Sequence, residues 1–183
     1  EVLATDGDTG TLDFATAAES FFVDASRYGL VNDGVTDNTA FLQAALSTCP
    51  PGGTGYVPAG TYRTQSLFLQ SNTTLYLEKG CTLLGGTKRT DYPILPGVLH
   101  NERDEHYLAL WEGNPLDSFA GLINVINAEN VTITGEGTID ANAQNGDWYQ
   151  NPKKKNIAYR PRLFFTNGAK NVVQHGVQVC NSY

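Results

Sequence analysis

The sequence predicts an all-β solenoid, a single chain winding short strands coil upon coil behind one N-terminal capping helix. Three observations predict it. Residues 128–140 (AENVTITGEGTID) and 169–179 (AKNVVQHGVQV) are two versions of one strand unit, with Ala128, Asn130, Val131 and Gly135 answered by Ala169, Asn171, Val172 and Gly176. A repeat of strands without intervening helices is the signature of a solenoid. The strand-like segments are three to five residues long and turn at Gly, Asn or Pro, too short and closely spaced for a typical sandwich. One helical pattern precedes this run, where a solenoid needs a special terminal unit to cover its open core.

Taken in order, residues 1–20 carry five acids and no base. They read either as a tail or as the last strand of a preceding module, through the alternation of Thr11–Ala15. Phe21-Phe22-Val23 opens the first strand, and Tyr28–Gly34 follows as a turn-rich loop. Thr36 is the expected N-cap, with Asp37 and Asn38 in the first turn. Ala40, Phe41, Ala44 and Ala45 then fall on one face at helical spacing, and the helix stops at Cys49-Pro50-Pro51 because Pro cannot continue it. Strands follow at Tyr56-Val57, Thr61–Arg63, Leu67–Leu69, Thr73–Leu77 and Thr82–Leu84. Residues 87–118 break the regularity with polar, exposed stretches, an excursion of a length that is often functional. Coils resume at Leu122–Val125.

The repeated asparagines are 41 residues apart. Residues 141–160 read as a loop of 20, and removing them leaves 21, the scale of one coil. Asn suits the turn because it tolerates the left-handed conformation, and stacked asparagines can hydrogen-bond along the solenoid axis.

Bulk properties bound the function. The 183 residues make about one domain, and 40% hydrophobic content supplies a core. A net charge of −7 argues against a dedicated nucleic-acid binder. No apolar run is long enough to span a membrane. Cys49, Cys81 and Cys180 have no metal-ligand spacing and read as buried, reduced, small apolar residues. His100 and His106 with nearby acids fit no tight metal site, and no cofactor is expected.

The chemistry-bearing segment is the loop between the two repeat copies. Lys153, Lys154, Lys155, Arg160 and Arg162 put five of the chain's 12 bases within residues 151–162, with no acid among them. Cations pair with the carboxylates of an acidic sugar chain, Arg bidentately, and aromatic faces stack on sugar rings. Trp148, Lys154, Lys155 and Arg160 are therefore the candidate substrate-binding residues, with Arg160 open to a structural role and the whole loop open to being merely solvated. Asp140 reads as a turn acid bonding backbone N–H groups.

Several motifs add a family resemblance. Asn32–Thr39 with Leu42–Ala45, and Gly52–Tyr62, resemble the opening of the pectate-lyase-like right-handed parallel β-helix superfamily. Leu75–Gly80 before Leu83-Leu84-Gly85, then Asn130–Asp140, Arg160-Pro161 and Asn181-Ser182, resemble the polygalacturonase family, glycoside hydrolase family 28. The resemblance covers about residues 21–183, and residues 1–20 are similar to the end of a fibronectin-type module. It implies a secreted or periplasmic pectin-degrading hydrolase (cytoplasmic for an oligosaccharide-processing member), acting on pectin or oligogalacturonate. It also implies inverting hydrolysis, which places two carboxyl groups about 6.5–9.5 Å apart around a water. The family's Asn-Thr-Asp, Asp-Asp, Gly-His-Gly and Arg-Ile-Lys strings do not occur here. The resemblance thus implies an N-terminal fragment, with the catalytic residues expected beyond Tyr183 and no activity of its own. A polysaccharide lyase on the same fold and a non-catalytic carbohydrate-binding β-helix are the alternatives.

Overall fold

The computed structural model describes residues 2–3, 9–10, 21–100, 104–151 and 154–183. The expected strand at Thr11–Ala15 and the base Lys153 lie outside them. Val2–Leu3 pairs antiparallel with Thr9–Gly10.

Short strands generate the solenoid because each ends at a residue that forces a turn, so the chain returns one strand spacing further along. Three parallel sheets result. The first contains Phe22–Asp24, Thr54–Val57, Thr74–Leu77, Glu129–Gly135 and Lys170–Gln174. The second contains Asp33–Asp37, Gly60–Thr64, Cys81–Gly85, Thr138–Asp140 and Gln178–Cys180. The third contains Leu67–Phe68, Ile123–Ile126 and Phe164–Asn167. Every neighbouring pair within these sheets is parallel, as a coil requires. The architecture is the right-handed parallel β-helix.

The repeat lies in register, Val131 beside Val172 and Thr138 beside Gln178. Its asparagines stand in the left-handed region, Asn72 at φ 59°, Asn130 at 56° and Asn171 at 53°. They form the expected ladder: Asn130 Nδ2 donates to Asn72 Oδ1 and Asn171 Nδ2 to Asn130 Oδ1, each at 2.8 Å. The repeated glycine has a steric cause. A Cβ on Gly135 would stand 2.0 Å from the Leu77 carbonyl oxygen, and one on Gly176 2.5 Å from that of Gly135. Alternate residues turn inward, so Leu75, Leu77, Leu83, Ile123, Val131, Ile133 and Ile139 form one buried column. Cys49 and Cys81 join it, and burial pushes the Cys81 thiol up to about 12.

The capping helix is Thr39–Thr48. It begins later than expected. Thr36 stays in the strand, held by Asp33, which accepts from the Val35 and Thr36 N–H groups. Asp37 instead accepts from Thr39 N at 2.9 Å, and the Asn38 side chain turns inward to Val31 and Thr36. The buried face is Leu42, Ala45, Leu46 and Cys49, whereas Ala40, Phe41 and Ala44 are not buried. The larger aliphatic side chains win the contact with the first coil because they remove more apolar surface from water. Gln43 closes the edge of the third sheet, accepting from Phe68 N at 2.8 Å and donating to Phe68 O at 3.0 Å, so that edge is satisfied by an amide rather than left open.

Candidate functional site

Two long excursions leave the second sheet, one after Gly85 and one after Asp140, and both re-enter at the third sheet. They therefore lie side by side on one flank. Within the first, three short antiparallel pairs nest: Ile94–Leu95 with Ser118–Phe119, Val98–His100 with Glu105–Tyr107, and Leu110–Trp111 with Asn114–Pro115. Buried Asn124 seals the return, exchanging hydrogen bonds with both backbone groups of Gly121 and donating to Leu67 O.

The excursions are joined by backbone and by charge. Phe119 N donates to Tyr159 O and Tyr159 N to Asp117 O, both at 2.9 Å. Arg89 is buried, and its Nε lies 3.2 Å from Asp147 Oδ2. Asp147 Oδ1 accepts from Arg89 N at 3.0 Å, the Asp147 carbonyl accepts from the Arg89 guanidinium, and Asp147 N donates to Thr87 O. A small aromatic core lies beneath: Trp148 meets Tyr92, Phe119 and Tyr183 edge-on at 5.1, 5.4 and 4.7 Å between ring centres. Tyr183 Oη donates to Tyr92 Oη at 2.8 Å, and burial pushes the Tyr92 phenol up to about 12 and also raises that of Tyr183.

Between the excursions is a cavity of about 240 Å³ that brings together Lys154, Lys155 and Arg160 with Arg89, Trp111 and Tyr159. Trp111 and Tyr159 stack at 5.6 Å and 25°. Lys155 Nζ stands 5.8 Å from the centre of the Tyr159 ring, and the Arg160 guanidinium 5.2 Å from that of Tyr149. Arg89 is neutralised by Asp147, but Lys154, Lys155 and Arg160 form no ion pair with a described carboxylate. The wall between them contains a strained turn. Ala158 N donates to Asn156 O at 2.9 Å across Ile157, whose φ of 69° makes it a γ-turn centred on a β-branched residue.

Of the four candidate residues, Lys154, Lys155 and Arg160 line this cavity together, and Trp148 borders it from below. Trp148 is fully buried, so it offers no open face for stacking; its three aromatic neighbours take that surface. Its indole N–H has no hydrogen-bond partner. The aromatic pair at the cavity is exposed Trp111 stacked on half-buried Tyr159, which the sequence pattern did not single out. Its one available signal was an aromatic residue in the Trp111-Glu112-Gly113 turn of a long polar excursion. Asp140 behaves as a turn acid, accepting from Asn142 N at 2.7 Å and, through both oxygens, from Asn181 Nδ2. His106 ties its hairpin to Asn167 at 2.7 Å, and His100 faces Glu105 at 3.6 Å. No helix among the described residues is long and apolar enough to cross a membrane.

Residues 22–82 match the family model described as rhamnogalacturonase A/epimerase, pectate lyase-like. The fold is a right-handed parallel β-helix, and this match likens its opening coils to the pectate lyase-like group. Within that class the likeness is to the polygalacturonase family, as the motifs imply. The chain is 33% identical over 138 residues to an exo-poly-alpha-D-galacturonosidase of Dickeya chrysanthemi, covering 75% of this chain and 22% of that one. It is 33% identical over 143 residues to a probable polygalacturonase of Vitis vinifera, covering 74% and 27%. The family 28 exopolygalacturonase of Yersinia enterocolitica superposes with a TM-score of 0.76 at 25% identity, over 97% of this chain and 38% of that structure. The chain thus spans about a quarter of the length of the curated relatives it matches.

Proposed function

We propose that this chain forms the cap and opening coils of a secreted or periplasmic pectin-degrading hydrolase that cleaves α-1,4-galacturonan with inversion. Residues 21–183 build the β-helix, residues 1–20 end a preceding module, and the chemistry is done by carboxyl groups outside this chain. The observation that carries the reading is the cationic cavity: Lys154, Lys155 and Arg160 stand without carboxylate partners among the described residues, beside the Trp111–Tyr159 pair. In an acidic protein of net charge −7, three unpaired bases gathered at one cavity make a local positive site suited to a polyanion. The likeness to an exo-poly-alpha-D-galacturonosidase supplies the substrate class.

The test measures reducing-end release from polygalacturonate by the full-length protein alongside absorbance of the unsaturated product. Reducing ends without unsaturation are expected. Unsaturated product would make it a lyase, and binding without either product a non-catalytic carbohydrate-binding β-helix. Arg160→Ala and Lys154→Ala are expected to raise KM, and an unchanged KM in both would remove the loop from the substrate path.

A further inference from the structure

We infer that the outer face of the capping helix is a docking surface, and that its occupant is the chain immediately before Phe21, residues 11–20. The inference goes beyond the galacturonan reading and does not depend on it.

The character of that face is the first ground. Leu42, Ala45 and Leu46 close on the first coil, whereas Ala40, Phe41, Ala44, Ser47 and Thr48 are exposed. No residue of Thr39–Thr48 is an acid or a base. The terminal unit of a solenoid needs a polar outer face where it meets water. A helix that is apolar on both sides is instead one covered on both. Phe41 makes the demand local. It is 40% exposed, and its ring lies beside Gly29, where an added Cβ would stand 3.6 Å away, so one edge of the ring is held and the rest is bare.

Reach is the second ground. Thr54 N donates to Phe21 O at 2.9 Å, and a Cβ on Gly53 would stand 3.2 Å from that carbonyl and 3.0 Å from Cys49 Sγ. The chain therefore enters beside Cys49, the C-cap of the helix. Phe21 is itself 53% exposed. At the opposite end Val31 N donates to Asn38 Oδ1, and Val31 is also exposed, so apolar side chains mark both ends of the face. The helix of 10 residues is about 15 Å long, and ten extended residues reach about 33 Å, enough to run its full length. Composition is the third ground. Leu12, Phe14 and Ala18 share one side of an extended chain. Ala40 and Ala44 are one helical turn apart, and their small side chains leave room for such a chain beside Phe41. The helix offers no charge to Asp13 or Glu19 of the segment, so apolar contact is what holds it.

The test is amide hydrogen exchange of the whole 183-residue chain, set against a synthetic peptide of residues 11–20. In the chain these amides are expected to exchange at least about tenfold more slowly than in the peptide. Ala44→Glu places a charge on the exposed face and keeps a good helix former. It should bring residues 11–20 to within about twofold of the peptide, while Thr74–Leu77 and Glu129–Gly135 stay as protected as in the parent. Phe41→Asp should do the same, and Phe41→Leu, which keeps an apolar side chain, should retain the protection. Peptide-like exchange of residues 11–20 in the parent would overturn the inference. So would protection that Ala44→Glu and Phe41→Asp both leave intact, because the segment would then be ordered without the helix. Sedimentation velocity examines the other occupant: a monomeric parent is expected, and a dimer that Ala44→Glu dissociates would assign the face to a second copy and overturn the inference. No saccharide enters any of these measurements, so their failure leaves the hydrolysis assay to judge the galacturonan reading separately.

Discussion

Replacing Asn130 separates the two physical demands that the repeated asparagine meets. Its side chain takes part in two ladder bonds of 2.8 Å, one to Asn72 and one from Asn171, and its backbone stands at φ 56°. Asn130→Gly keeps the left-handed conformation and removes both bonds. A net hydrogen bond contributes about 0.5–1.5 kcal/mol, and these are exposed, so the expected loss is about 1–2 kcal/mol. Asn130→Ala loses the same bonds and adds left-handed strain of about 1–2 kcal/mol, offset by about 0.4–1 kcal/mol because Ala restricts the unfolded chain more than Gly does. The Asn130→Ala variant should therefore fall roughly 0.5–1 kcal/mol below the Asn130→Gly variant. Asn171 has one ladder bond, so Asn171→Gly should cost about half as much as Asn130→Gly. Urea unfolding at constant m-value measures all three. If Asn130→Gly leaves the chain as stable as the parent, the ladder's contribution is refuted. If Asn130→Ala leaves it at or above the stability of Asn130→Gly, the conformational contribution is refuted.

Three further expectations concern other parts of the molecule. Gly135→Ala drives a Cβ to within 2.0 Å of the Leu77 carbonyl oxygen, so it should lower stability by at least about 3 kcal/mol or abolish soluble yield; an unchanged melting temperature would contradict the packing. Asp147→Ala strands the buried Arg89 guanidinium, at about 2–3 kcal/mol once the one-third exposure of the Asp147 side chain is discounted, and limited proteolysis should then cut residues 141–162 before the coils melt. Glu78 is held below its ordinary 4.5 by the Tyr56 hydroxyl and the Ala59 N–H, and Asp33 below its ordinary 3.8 chiefly by Thr36. Both carboxylates titrate lower when folded, so their stabilisation is present above those values and is lost as pH falls through the folded ones. Melting temperature should stay level from neutrality to about pH 5 and decline below, less steeply in Glu78→Gln; an unchanged slope would exclude Glu78 as a contributor.

The coils were legible because each satisfies its constraint at a single position. A left-handed turn selects Asn, a close backbone approach selects Gly, and alternation places Val131, Ile133 and Ile139 inward. The helix was legible as an element but not in its face. Alanines and leucines both recur at helical spacing there, and only contact with the first coil, where Leu46 closes on Gly55, chooses Leu42 and Leu46. The excursions were legible only as departures. Strand pairs two or three residues long leave no period to read, and the partners Arg89 and Asp147 are 58 residues apart with no spacing rule to join them. The sequence marked Trp148 as an aromatic candidate but could not say which of the adjacent rings, Trp148 or Tyr149, turns inward. Trp148 fills the small core, and Tyr149 reaches outward to Ser182 O at 2.8 Å.

That inward turn has a consequence for how the site is specified. The cavity is lined by residues of both excursions, but its floor is held by the next coil. Tyr183 packs on Trp148 at 4.7 Å and bonds Tyr92 at 2.8 Å, while the Ser182 carbonyl accepts from Tyr149. Solenoids transmit stability between neighbouring coils rather than across the whole fold. A change in the coil at residues 164–183 therefore acts on the cavity through Trp148 without touching Lys154, Lys155 or Arg160. Tyr183→Phe tests this: it removes the bond to Tyr92 and keeps the ring. It should alter the fluorescence of the chain and weaken galacturonate by severalfold at most, whereas Tyr183→Ala, which opens the aromatic core, should weaken it more and lower the melting temperature as well. Equal effects of the two would assign the role to the hydroxyl bond rather than to packing.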